Sequence, residues 1–338
     1  MRGTRGAGVN ADGCAGPRRR LYAGRVASIG IIGTSPSFYT DLDYDRDSER
    51  LIAALEARGH RSARLDWHED LDWSAWDLLV LRSPWDYALQ PRDFDAWLER
   101  AGAATRVLND PALVRWNMDK HYLAELERAG VAVVPTSYHD AEHSLAEALS
   151  SWGSSHGEPH TGSAPAVTAD HVVLKPAVGA GSRLTGLFAP DSPAALSLAR
   201  EILDEAGTVM LQPEVPELSA GAEKALYLID GRFTHAIAKG ALLARGGGLI
   251  GGVYEENPVV VEASEQERAF AEHVLTTVSR VTGQQMPLYA RIDTVDSAAH
   301  GLVLLEAELF EPTFNLHLAP EVVDIFTEAI LARLPEND

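Results

Sequence analysis

The sequence predicts an α/β protein in which a small open α/β unit precedes a larger α+β part. Three observations carry this expectation. Residues 26–101 alternate short apolar runs with segments of helical period, the pattern of strands separated by helices. Residues 223–238 read as a β-hairpin around the Asp230-Gly231 turn. Residues 288–295 and 302–309 read as apolar strands with charges at alternate positions. With 338 residues the chain has room for two domains, at roughly 150 residues each.

In the first unit, residues 26–34 (VASIGIIGT) form a strand that runs into a Gly-Thr-Ser-Pro loop. Residues 47–58 have helical periodicity, with Asp47 or Ser48 as N-cap and Gly59 as the stop. Residues 61–66 and 77–82 are further strands, and residues 94–101 are helical. Open α/β sheets place ligands beyond the carboxyl ends of their strands. That rule puts residues 34–37 and the segment Arg82-Ser-Pro-Trp-Asp-Tyr87 at the ligand edge. There Arg82 offers a carboxylate-binding fork, Trp85 an apolar wall and Asp86 an amine-binding acid, a set suited to an amino-acid-like substrate. The plainer alternative is a structural turn with Arg82 paired to Asp86.

Residues 111–129 predict one helix around Asn117-Met-Asp-Lys120, and residues 131–134 a strand. Residues 150–170 are rich in Ser, Gly, Pro and His and read as a mobile insertion. His156 and His160 have helical metal-ligand spacing, but Gly157 and Pro159 exclude a regular helix, so no metal is assigned to them. Residues 172–176 (VVLKP) form a strand carrying Lys175, followed by a glycine-rich turn over 177–186 and a return strand at 187–188. The turn lacks the GK[ST] of a P-loop, and Leu184 stands where a dinucleotide fingerprint has its third glycine. Strand, glycine loop and strand instead suggest a hairpin whose backbone N–H groups lie over phosphates. Lys175 favours that reading over a plain turn. Residues 208–212 form a strand leading to Pro213-Glu-Val-Pro-Glu217, Lys239 closes the 223–238 hairpin, and residues 245–252 are a second glycine-rich segment. Helices are expected over 264–282 and 322–334.

The two charged strands near the end of the chain are the most informative stretch. Alternation puts Arg291 and Asp293 on one face, and Glu306 and Glu308 on one face. Acids inside apolar strands are costly to bury unless a cation offsets them. Three carboxylates on neighbouring strands suit one or two Mg²⁺ ions, because hard cations take oxygen ligands. A solvated sheet face is the plainer alternative, and the apolar run 302–305 speaks against it by indicating burial on both sides.

Composition narrows the partners. A net charge of −20 argues against nonspecific nucleic-acid binding and against an anionic membrane surface. The sequence contains no apolar run long enough to span a membrane. Residues 1–25 hold six arginines and Asp12, lack an apolar core, and read as a disordered leader rather than a secretory signal. Cys14, the single cysteine, lies there, so no intrachain disulfide is expected and a cytoplasmic location fits. Of the 29 basic residues only four are lysines, Lys120, Lys175, Lys224 and Lys239, a bias of the kind genomic base composition produces; lysines that survive it suggest places for a compact point charge, with chance survival as the plainer alternative.

The ordered set is a lysine on a helix, a lysine before a glycine loop, a Gln-Pro-Glu-Val linker, a lysine after a hairpin, Arg-x-Asp, and Glu-x-Glu. It resembles the ATP-grasp superfamily, which includes D-alanine ligase and glutathione synthetase, over nearly the whole chain from Val26 to Leu334. The segments Arg82-Ser-Pro-Trp-Asp-Tyr87, Arg115-Trp-Asn-Met-Asp-Lys120 and Leu305-Glu-Ala-Glu-Leu-Phe-Glu-Pro312 are similar to the actinobacterial branch that contains the cyclo-ligase of cycloserine biosynthesis. The resemblance implies an ATP-grasp fold over 111–335, two subdomains gripping ATP and split near 212–216, after a pre-ATP-grasp α/β domain over 26–110. It implies that Lys120 and Lys175 hold the ATP phosphates and that Gly179 and Gly181 belong to the loop that closes over them. Gln212, Glu214 and Val215 would lie in the adenine-binding linker, and Glu223 would contact the ribose. Asp293, Glu306 and Glu308 would bind Mg²⁺, with Mn²⁺ as a substitute. Arg291 would stabilise the acyl phosphate and the tetrahedral intermediate, and Lys239 would reach the γ-phosphate. Two departures stand out: Glu308 replaces a common asparagine, and the segment after Lys239 is glycine-rich where relatives carry charged residues.

The implied reaction is ATP-dependent coupling of a small amino-acid-like carboxylate to an amine through an acyl phosphate, releasing ADP and phosphate, in natural-product biosynthesis. An intramolecular cyclo-ligase of the O-ureido-serine type is the alternative, and a non-catalytic nucleotide-binding protein the second. A kinase that releases a phosphorylated product is a further class. The absence of a nucleophilic Cys, a Ser-His-Asp set or HExxH agrees with chemistry run by positioning and charge. A homodimer is left open.

Overall fold

The computed structural model describes residues 26–38, 45–152, 170–252 and 257–335. The expected leader with Cys14, and the part of the 150–170 segment that contains His156 and His160, lie outside these residues.

Strands β1 (Ser28–Gly33), β2 (Arg61–Asp66), β3 (Leu78–Ser83) and β4 (Val107–Leu108) form a parallel sheet in the order β2-β1-β3-β4. β1 and β3 are near-continuously apolar because both faces of the sheet are covered. Helix α1 (Arg46–Glu56) lies on one face and α2 (Pro91–Ala104) on the other. α1 starts earlier than expected. Asp45, rather than Asp47 or Ser48, is its N-cap and accepts the backbone N–H groups of both at 3.1 Å. The hydroxyl of Ser83, at the end of β3, donates to the same carboxylate at 2.5 Å, which locks the helix start to the sheet edge.

The next segment contains α3 (Pro111–Met118), α4 (Tyr122–Arg128), β5 (Ser137–His139), α5 (Glu142–Trp152), β6 (Val172–Pro176), β7 (Gly186–Phe188), α6 (Pro193–Ala206), β8 (Val209–Pro213) and α7 (Pro216–Ser219). Its strands form an antiparallel sheet, β5-β8-β6-β7, against which α5 and α6 pack through Leu145, Leu149, Ala195, Ala199 and Ile202. The single helix expected over 111–129 is in fact α3 and α4. The break falls at Lys120, whose backbone N–H donates to the carbonyl of Ala177 at 2.9 Å instead of to its own helix. The strand expected over 131–134 is an isolated bridge between Val133 and Leu304, and Pro135 cannot donate the bond that would extend it.

The last segment contains β9 (Lys224–Ile229), β10 (Arg232–Ala238), β11 (Val259–Val261), α8 (Glu265–Thr282), β12 (Tyr289–Ser297), β13 (Gly301–Glu308) and α9 (Glu321–Ala332). Its antiparallel sheet runs β11-β10-β9-β12-β13. α8 covers one face together with α4. On the other face Tyr227 and Tyr289 share a core with Phe326 and Ile330 of α9 and with Ile29, Ile31 and Leu51 of the N-terminal unit. Residues 26–110 therefore close their core with the far end of the chain. Among the described residues no helix is long and apolar enough to cross a membrane.

Candidate active site

Between the two antiparallel sheets lies a cavity of about 760 Å³. The breaks and ends of the surrounding elements supply its wall. Lys120 enters from the α3–α4 break, Lys175 from β6, and Gly179 and Gly181 from the glycine loop. Gln212, Glu214 and Val215 come from the end of β8, Glu223 and Lys239 from the two ends of the β9–β10 hairpin, and Arg291, Asp293, Glu306 and Glu308 from β12 and β13. Trp85 also lines it.

The β12–β13 register explains the charged wall. Arg291 faces Glu308 and Asp293 faces Glu306 across the ladder, and a bulge follows, leaving Leu305 as the extra residue. Asp293 is buried. Burial works to raise its pKa, but Arg291 (2.8 Å) and Lys239 (2.7 Å) more than offset this and hold it below the usual carboxylate range. Glu306 behaves alike: burial is outweighed by Lys120, at 3.0 Å, and by the charge of Lys175. Glu308, paired with Arg291, is instead pushed up to about 7, because burial and the neighbouring Asp293 and Glu306 outweigh the guanidinium. Burial also raises Glu223 despite Lys239 at 3.0 Å.

The rest of the wall is less charged. Gln212 donates to the Thr136 hydroxyl at 2.8 Å. Glu214 accepts from Arg245 Nε at 2.9 Å and from Ser219 at 3.2 Å. Val134, Val215, Leu218 and Leu305 pack together beside them and give the cavity an apolar patch. The second glycine-rich segment reaches across. Gly246 N–H donates to Leu187 O at 2.7 Å and Leu187 N–H to Gly247 O at 2.9 Å, so it is pinned to β7 near the first glycine loop.

Three carboxylates at facing positions are a suitable donor set for a hard cation. Among the described residues no three His, Cys, Asp or Glu side chains are gathered as a ready cation cage. The physical reason is visible: each carboxylate is turned to a lysine or arginine. The donor chemistry fits Mg²⁺, and the basic side chains that now neutralise these acids are those expected to meet phosphate.

Arg82 and Asp86 are not part of the wall, which corrects the expectation for both. Arg82 is 1% exposed; its Nη2 donates to Pro312 O at 2.7 Å and lies 3.5 Å from Asp47. Its guanidinium sits over the rings of Tyr289, Phe314 and Phe326 at 4.9–5.4 Å. The segment that follows β13 crosses the end of β3 and takes up the arginine. Asp86 is turned to the indole of Trp67 at 2.8 Å and to His68 at 3.0 Å, so the Arg82–Asp86 pair does not form either. In their place the wall carries Arg46, Asp47, Glu311, Asn315 and His317. Glu311 lies within the Glu-Pro segment quoted above, but nothing in the local pattern marks its direction. The others have no local signal at all, since they reach the cavity through contacts between distant parts of the chain.

A family model described as the N-terminal domain of the D-cycloserine synthetase DcsG matches residues 29–109. The cycloserine biosynthesis protein DcsG of Streptomyces lavendulae is 31% identical over 297 residues, covering 87% of this chain and 95% of that protein. The crystal structure of D-cycloserine synthetase DcsG superposes with a TM-score of 0.81 at 28% identity, over 91% of this chain and all of that one. The D-alanine–D-alanine ligase of Bacillus anthracis, solved with ATP, gives 0.59 at 14% identity, over 91% and 97% of the two chains. The ATP-grasp ligase PsnB, solved with a minimal precursor, Mg and ADP, gives 0.54 at 17% identity, over 90% and 97%. The last two likenesses concern the fold alone. The match to the Streptomyces protein over nearly the full length of both chains shows that this chain belongs to the DcsG family, and its fold is that of the ATP-grasp ligases.

Proposed function

We propose that the protein couples ATP hydrolysis to the joining of a small, amino-acid-like carboxylate to an amine, by way of an acyl phosphate, in natural-product biosynthesis. The observation that carries this reading is one cavity lined by Lys120, Lys175, Lys239 and Arg291 together with Asp293, Glu306 and Glu308. A carboxylate is a poor electrophile until phosphorylated, and phosphoryl transfer asks the protein for alignment and charge neutralisation rather than covalent work. Lys120 and Lys175 would hold the phosphates, with Gly179 and Gly181 above them. Gln212, Glu214 and Val215 would receive the base against the apolar patch, and Glu223 the ribose. Asp293, Glu306 and Glu308 would hold Mg²⁺, which supplies neutralisation of phosphate charge when bound. Arg291 and Lys239, released from their carboxylates, would face the oxygens of the transferring group and of the tetrahedral adduct. The two glycine-rich segments would keep water from the acyl phosphate.

A second reading, in which both reacting groups belong to one substrate, is favoured by the 31% identity to the cycloserine protein over 95% of its length. One screen tests both. ADP and phosphate release would be followed with amino acids and with ureido and hydroxamate derivatives, and products identified by mass spectrometry. A dehydrated cyclic or coupled product with free phosphate is expected. A stable phosphorylated product would make the protein a kinase, and ATP turnover with no such compound would refute the ligase reading.

A further inference from the structure

The carboxylates of the cavity are not equivalent. Asp293, Glu306, Glu308, Glu223 and Glu214 each hold a lysine or arginine at ion-pair distance. Glu311 lines the same cavity, is 8% exposed, and forms no ion pair with a basic side chain among the described residues. Lys120 is near enough to act on it electrostatically, but its ammonium is committed to Glu306 at 3.0 Å and to Gly179 O at 2.6 Å. The neighbour bonded to the Glu311 carboxylate is the hydroxyl of Tyr87, a neutral donor.

The position is also rigidly held. The indole N–H of Trp85 donates to Glu311's own carbonyl at 2.8 Å, and Arg82 donates to the next carbonyl, Pro312, at 2.7 Å. A buried carboxylate without a cation is an expensive arrangement. Burial, with Glu308 nearby, pushes the Glu311 carboxyl well above the usual carboxylate range. A cation brought in by a ligand would reverse that.

On the ligase reading above, we infer that Glu311 is the subsite for the ammonium group of an amino-acid-like substrate, holding it so that its carboxylate points toward Arg291. The ammonium makes and breaks no bond; it sets the direction of the carboxylate that is phosphorylated. A metal ion suits this corner less well. A hard cation needs several oxygens, and on the ligase reading those of Asp293, Glu306 and Glu308 are already assigned to Mg²⁺. Trp85, whose indole bonds the Glu311 carbonyl, lines the same cavity, and an aromatic face suits an organic cation.

The test uses the whole enzyme with Mg²⁺ and a non-hydrolysable ATP analogue, and two probes titrated calorimetrically: O-ureido-serine and the same compound lacking its amino group. Wild type should bind the amino compound at least about tenfold more tightly, the worth of one charge-assisted hydrogen bond. Glu311→Gln, which keeps the shape and an acceptor for Tyr87, should abolish that preference and leave affinity for the analogue unchanged. Glu311→Asp should restore part of it. Equal affinity of wild type for both probes, binding of neither, or a preserved preference in Glu311→Gln would overturn the assignment. A changed Mg²⁺ requirement with the preference intact would make Glu311 a metal ligand and overturn it equally. Failure of wild type to bind the ATP analogue would instead break the ligase reading, and the two failures are read from separate titrations.

Discussion

Replacing Lys175 by methionine should move stability and nucleotide affinity in opposite directions. Lys120, Lys224 and Lys239 each hold a carboxylate at 2.8–3.0 Å, whereas no ion pair joins Lys175 to an acid among the described residues. Burial pulls its pKa below the ordinary 10.5, and the more distant charge of Glu306 offsets this only in part. A base whose folded pKa is lowered costs the folded state nothing above its unfolded value; the cost grows as pH falls from the unfolded value to the folded one and is complete below it. At pH 7 Lys175 therefore destabilises the empty enzyme. Methionine keeps the stem and removes the ammonium, so the urea midpoint should rise by the equivalent of about 1 kcal/mol, and the difference should vanish above pH 10.5. On the proposed reading, phosphate would supply Lys175 with a charged partner. A charge-assisted hydrogen bond is worth roughly 1.5–3 kcal/mol, so the Kd for ATP should rise roughly ten- to hundredfold. Urea unfolding and calorimetry on one preparation read both effects. Unchanged ATP affinity would remove Lys175 from the site, and a lowered midpoint would mean that its ammonium is already satisfied in the empty protein.

Glu306→Gln keeps shape while removing a proposed Mg²⁺ ligand and the partner of Lys120; phosphate release should be lost with the circular-dichroism spectrum unchanged, and near-normal turnover would refute the assignment. Arg82→Met should lower folding stability by about 3–5 kcal/mol in urea titrations, because Asp47 is left buried without its cation, whereas a change confined to substrate KM would contradict the buried placement. Glu267 caps α8: burial would raise its pKa, but Lys224 at 2.8 Å and the N–H and hydroxyl of Ser264 outweigh this and lower it. Its stabilisation is present above the unfolded value of 4.5 and is lost as pH falls through the folded value, so Glu267→Gln should cost about 1 kcal/mol at pH 7 and progressively less below pH 4.5. A pH-independent difference between the two proteins would sink that account.

The fold was legible where chemistry is local. Period-two charges on β12 and β13 announced a shared face, and the ladder pairs those residues directly. Lysine scarcity pointed to positions that now line one cavity, Lys224 excepted, which sits on α8's cap instead. Capping signals are equally local. Ser192 and Pro193 open α6 and Gly207 closes it in a left-handed conformation, at φ +77°, yet α6 is absent from the sequence expectations. The break at Lys120 was not legible, since the acceptor that draws its N–H out of the helix is Ala177, more than fifty residues on.

The end of β3 shows why a sound local rule can still misplace residues. Ligands do collect beyond the carboxyl ends of parallel strands, and Arg82 does stand at the end of β3. In this chain that edge is already covered by its own C-terminal segment. Arg82 donates to Pro312 O, Trp85 to Glu311 O, and Asp47 accepts the N–H groups of Phe314 and Leu316 at 2.5 and 2.8 Å. The edge binds a strip of protein backbone where other α/β units bind a ligand, and the strip in turn presents Glu311, Thr313, Asn315 and His317 to the cavity. Every one of those contacts spans more than 220 residues of sequence, so no window-based pattern contains it. The N-terminal unit thus acts on the cavity in two ways: it lends Phe38, Arg46, Asp47 and the Trp85 segment to the wall, and it fixes which C-terminal side chains face inward. Substitutions at Arg82 or Asp47 should accordingly disturb the positions of several of those side chains at once, whereas Glu311 can be changed alone.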